Sequence, residues 1–111
     1  MKFITNSTIF TQNKPYYIEP MSERHFIQYV QQKKEVISLI EDQGTVDLIA
    51  LLTGILFPVS VYERPAKDGL PTSPGDEVVV IKVTGLSSGK LTQEKLDKAE
   101  LSFLWMYHCK P

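Results

Sequence analysis

Residues 76–84, D-E-V-V-V-I-K-V-T, constrain this chain more than any other stretch, because Val78, Val79, Val80, Ile81 and Val83 leave Lys82 as the one polar residue within the run. Near-continuous β-branched residues favour a strand and need burial on both faces, which only a central strand provides. The chain is therefore organised about a sheet. At 111 residues it has enough surface for one core and falls short of two, so a single domain is expected.

The second constraint is a strand that turns into a helix. Residues 36–40 are aliphatic or β-branched apart from Ser38, residues 41–44 (E-D-Q-G) form a turn cluster, and residues 45–53 read as an apolar helix ending at Gly54. Thr45 is positioned to cap that helix, and Asp47 is expected to face outward. A strand-to-helix turn directs unpaired backbone N–H groups at the positive end of the helix dipole, where an anion can sit.

The remaining segments supply the other elements. Residues 1–5 read as a first strand stopped by Asn6-Ser7-Thr8, a cluster suited to a turn that satisfies its own backbone. Residues 15–20, bounded by prolines, suit an edge strand whose adjacent Tyr16 and Tyr17 face opposite ways. Residues 21–34 are helical, with Ser22 as cap and Phe26, Ile27 and Val30 on one face. Residues 57–63 alternate as a strand, residues 65–75 form an irregular loop rich in proline and glycine, residues 92–100 form a short polar helix, and residues 101–107 a last aromatic strand. The order is β-β-α-β-α-β-β-α-β, an α/β (α+β) arrangement with a mixed central sheet and about three helices, mostly to one side.

Composition narrows the function. The formal net charge of −1 argues against general DNA binding, and the single cysteine, Cys109, excludes an internal disulfide and disfavours a cysteine metal site. The apolar run 48–52 is too short to cross a bilayer, and the N-terminus carries no apolar signal region, so a soluble, cytoplasmic protein is expected. Residues 85–91, G-L-S-S-G-K-L, invite comparison with a phosphate-binding loop and fail it: three residues separate the glycines and Leu91 follows the lysine, where four residues and a Ser or Thr are required. A flexible turn is the better reading.

In sequence order, N-S-T-I, E-P-M-S-E, V-I-S-L-I, T-V-D-L-I-A-L-L-T-G, F-P-V, P-G-D-E-V-V-V, G-L-S-S-G-K-L-T and the final L-S-F form a series whose spacing resembles the small viral and mobile-element proteins that include the type III anti-CRISPR ring nucleases, also called YddF-like. That resemblance covers nearly the whole chain. It implies one ring-nuclease-like domain over residues 1–111, an intertwined homodimer, and a cyclic tetra-adenylate ligand across the two-fold axis, cut without metal or cofactor. It also implies a histidine in the turn before the second helix as general acid, assisted by a glutamate in the turn after the central strand.

This chain departs from that pattern at the positions that matter. Asp42 stands where the active pattern Ile-Gly-His-x-Ser/Thr-Thr has its histidine, Ser88 where it has glutamate, and Gly85 and Val61 where it has arginines; Arg64 lies further on. An ionised aspartate is a poor acid at neutral pH. The matched positions left to hold a ligand are Asn6, Ser7, Asp42, Gly44, Thr45, Gly85, Ser87 and Ser88. The expectation is a non-catalytic or re-purposed homologue that binds a cyclic oligonucleotide signal or a host defence component and counters antiviral defence in the host cytoplasm. Two alternatives stay open: an active nuclease with a relocated acid, His25 or the partner chain's His108, and an interaction homodimer that uses the loop at 65–75.

Overall fold

The valine-rich run lies at the middle of the sheet. The structure is a computed structural model that describes residues 1–6, 15–32, 35–60, 72–85 and 92–110. Its strands are β1 (Lys2–Thr5), β2 (Tyr16–Met21), β3 (Val36–Ser38), β4 (Glu77–Thr84) and β5 (Glu100–His108), and its helices α1 (Glu23–Gln32), α2 (Gln43–Thr53) and α3 (Gln93–Lys98). The strand order β2-β5-β4-β1-β3 makes β4 the third of five. It pairs parallel to β1 and antiparallel to β5, so the sheet is mixed.

Both faces of β4 are closed. Val79 and Ile81 face one side, where with Ile4 and Phe103 they meet Phe26, Tyr29 and Val30 of α1, Val46, Leu48 and Ile49 of α2, and Leu96 of α3. Phe26 and Phe103 stack with ring centroids 4.5 Å apart. Val78 and Val80 face the other side, with Phe3, Leu39 and Met106. All four central residues of β4 are fully buried, and each such side chain contributes on the order of 1.5–3 kcal/mol. The three helices share the first face, which matches the α+β arrangement expected from the sequence.

Helix ends follow local chemistry. Ser22 precedes α1 and its hydroxyl accepts the His25 N–H at 3.1 Å. Thr92 caps α3 by accepting the Lys95 N–H at 3.2 Å. α2 ends at Gly54, whose φ of 77° and N–H bond to the Ala50 carbonyl at 2.8 Å form the left-handed stop that glycine adopts without steric cost. Asp47 is exposed and accepts the Gln43 amide at 2.8 Å.

Three expectations are corrected. The cap of α2 is Asp42, not Thr45: the helix starts two residues earlier than the apolar run because the Asp42 carboxylate reaches the Thr45 N–H at 2.9 Å. The strand expected at 57–63 is absent from its described part, since residues 55–60 are irregular. Pro58 removes a ladder donor there, and the Ser60 N–H bonds the Ile40 carbonyl at 2.8 Å without extending into a ladder. Residues 61–63 lie outside the described residues, as do 65–71 of the expected loop. The first helix begins at Glu23 rather than at residue 21, because Met21 belongs to β2 and pairs with Phe103. No described helix is long and apolar enough to cross a membrane.

Candidate functional site

β1, β3 and β4 run parallel, so the turns that follow them emerge at one end of the sheet. Open sheets of this kind bind ligands beyond the carboxyl ends of their parallel strands, where helix N-termini also converge. Asn6 follows β1, Asp42, Gly44 and Thr45 follow β3, and Gly85 follows β4.

Asn6, Asp42 and Thr45 form one bonded cluster. Asp42 Oδ2 accepts the Thr45 N–H at 2.9 Å and the Thr45 hydroxyl at 2.6 Å, while Oδ1 accepts the Asn6 Nδ2 at 2.7 Å. Asn6 Nδ2 also lies 3.2 Å from the Thr45 hydroxyl oxygen. Asn6 thus spends its amide on β3's turn rather than on a turn of its own. A Cβ at Gly44 would sit 3.8 Å from Asp42 Oδ2, an ordinary contact, so Gly44 borders the cluster without being required by it. Burial by itself would raise the Asp42 carboxyl, but the Thr45 hydroxyl, the Thr45 N–H and the Asn6 amide outweigh it and hold the group below its usual range. The cluster therefore presents an exposed, ionised acceptor at the start of α2. Such a group receives hydroxyl and amine donors and repels anions.

Gly85 does not join this cluster. Thr5 pairs with Val80, which sets Asn6 level with Ile81 and Gly85 four residues beyond, about 13 Å at roughly 3.3 Å per residue. Gly85, at φ 77°, lies instead against the α3–β5 corner, where an added Cβ would come 3.7 Å from the Lys98 carbonyl oxygen. Ser7, Ser87, Ser88, Val61 and Arg64 lie outside the described residues.

Neither histidine stands by Asp42 within the chain. His25 is exposed in the first turn of α1, beyond β2 on the far side of the sheet from β1. His108 lies beside Asp76 at the opposite end of the strands; its N–H bonds the Asp76 carbonyl at 2.9 Å. Its side chain is buried, with Nδ1 3.0 Å from the Thr72 hydroxyl, which in turn bonds the Tyr16 hydroxyl. Asp76 meets the N-terminal ammonium at 2.6 Å and the Ser73 N–H at 2.8 Å, and these hold its carboxyl low against the upward push of burial.

Sequence reasoning missed one further cluster. Glu77 Oε1 accepts the Trp105 indole N–H at 2.9 Å and faces the Tyr29 hydroxyl at 3.4 Å; burial, then the charge of Glu77, push the Tyr29 phenol up. The alternation of Phe103, Trp105 and Tyr107 places these rings on one face of the last strand. Only the β4–β5 register reveals that Glu77 shares it.

A mixed five-stranded sheet with three helices on one face defines the chain as a small α+β protein whose parallel strands open onto the Asn6–Asp42–Thr45 cluster. Among solved structures it is similar to B116 of Sulfolobus turreted icosahedral virus, at a TM-score of 0.69 and 21% identity, over 96% of this chain and 98% of that one. The two share a fold, and that neighbour is a viral protein. No family model matches the sequence, and no curated protein matches it.

Proposed function

We propose that this chain is a viral protein that binds a cyclic oligonucleotide signal without cutting it, and so blunts a defence pathway in the host cytoplasm. The observation that carries this reading is Asp42. At the position where the resemblance places a general acid, the side chain is a carboxylate held ionised by three donors. Metal-free cleavage by a ribose 2′-OH needs a proton for the leaving oxygen, and removal of a positioned acid lowers the rate by about 10²–10⁴-fold. A carboxylate in this place instead accepts ribose hydroxyls, as acidic residues do at the strand ends of dinucleotide-binding sheets. Ligand recognition in this reading runs through sugar and base donors, with Asn6 and Thr45 fixing the carboxylate's orientation and the ring's phosphates directed away from it. Two copies of the chain facing each other at this end enclose the ring.

Cyclic tetra-adenylate, smaller cyclic dinucleotides and linear adenylates are incubated with excess protein, with product formation and thermal unfolding both followed. The expected result is no linear product and a raised Tm with one cyclic compound. A ligand at 100 times its Kd adds about 2.7 kcal/mol. Linear product from the wild-type chain refutes the non-cleaving reading, and a flat thermal panel refutes the ligand.

A further inference from the structure

A groove of about 330 Å³ lies between β2 and α1. It is on the helix-bearing face of the sheet, distant from the β1 and β3 turns that hold Asn6 and Asp42. Trp105 and Tyr29 form its aromatic wall, His25, Gln28 and Gln32 line it at one-turn spacing along α1, and Glu19 lines it from β2. We propose that this groove receives the arginine side chain of an extended partner peptide laid along the outer edge of β2.

Four observations converge on a planar cation. The indole N–H of Trp105 is bonded to the Glu77 carboxylate, which pushes electron density into the ring and strengthens its face toward cations. Tyr17 meets Trp105 edge-on and Tyr107 stacks on it, each with centroids 6.1 Å away, so the indole is held in one orientation. Glu19 is exposed, and among the described residues no lysine, arginine or histidine forms an ion pair with it. Gln28 and Gln32 add amide oxygens that accept N–H donors. A guanidinium stacks flat on an aromatic face while its fork of donors meets a carboxylate in plane, a combination that a compact ammonium does not match.

The edge of β2 supplies the rest of the peptide's contacts. β2 is an outer strand that pairs with β5 alone among the described residues. Tyr17 and Ile18 on it are 55% and 44% exposed. An added strand gains main-chain hydrogen bonds from such an edge along Tyr16–Glu19, Pro20 offering no donor, and its side chains on the helix-bearing face fall beside Glu19.

Trp105 is the chain's single tryptophan, so its fluorescence reports occupancy directly. The full chain is titrated with acetyl-Thr-Arg-Thr-amide and with the same peptide carrying citrulline, which keeps the shape and loses the charge. A saturable fluorescence change with the arginine peptide is expected, with binding about tenfold weaker for citrulline and for Glu19→Gln, given the strength of charge-assisted bonds. Glu19 is exposed, and an unchanged circular dichroism spectrum checks that the variant folds. Equal binding of the two peptides, no saturable change, or a change reproduced by choline at the same concentration overturns the assignment.

Discussion

At the scale of single residues, Asp42 joins two features that sequence alone does not separate: it caps a helix and it stands at the end of the sheet onto which the parallel strands open. Asp42→Ala is expected to cost about 1 kcal/mol by removal of the cap, with less for Asp42→Asn, whose amide oxygen still accepts one N–H. Urea unfolding of both variants measures the difference. The pH dependence has a definite sign. Asp42 titrates in the folded chain below its ordinary value of 3.8, so its ionised form contributes stability in full well above that value. The contribution is lost as the pH falls through 3.8 toward the folded value. Wild type and Asp42→Asn are therefore expected to converge in stability below about pH 4 and diverge above it; parallel profiles sink the capping account.

Elements were legible where one local rule governs them, and illegible where two compete. The unbroken β-branched run 78–81 specified a central strand, and Gly54 marked the end of α2 through chemistry internal to the segment. At the start of α2 the expected cap was Thr45, and Asp42, three residues earlier and read as part of the turn, takes the role because its carboxylate accepts the Thr45 N–H. Residues 57–60 alternate in hydrophobicity like a strand, yet Phe57 packs beside the core while Val59 is exposed and neither has a ladder partner, so the alternation reported neither burial nor pairing. Because β4 is closed on both sides, trimming it is costly at any central position. Ile81→Val is expected to destabilise by about 1 kcal/mol, and Ile81→Ala by about 2–5, read as a lower urea midpoint with an unchanged slope. An Ile81→Ala loss within error of zero means that the helix-bearing face is not the packed core described.

At the scale of the whole molecule, the sheet's topology decides which residues can act together. Asn6 and Asp42 are 36 residues apart and meet because β1 and β3 are parallel neighbours. Gly85 follows a strand parallel to both and still lands elsewhere, because β4 outruns β1. β1 and β4 end where the sequence placed them, but the register between them was not legible, which is why four of the five described candidate positions assembled and Gly85 did not. This geometry makes a sharp prediction for Asp42→His, which restores the acid that the resemblance implies. One proton donor has no clamp opposite it: Gly85, at the position of an arginine, carries no side chain and faces the Lys98 carbonyl. Arginine–phosphate bonds each contribute roughly 1.5–3 kcal/mol when charge-assisted, and a single acid does not replace them. The variant is expected to yield no linear product from cyclic tetra-adenylate in single-turnover assays with protein in excess, while its Tm falls through loss of the cap. Product formation at least tenfold above wild type, abolished by mutation back to aspartate, would instead mean that the clamps come from elsewhere, either a second copy of the chain or the residues at 86–91.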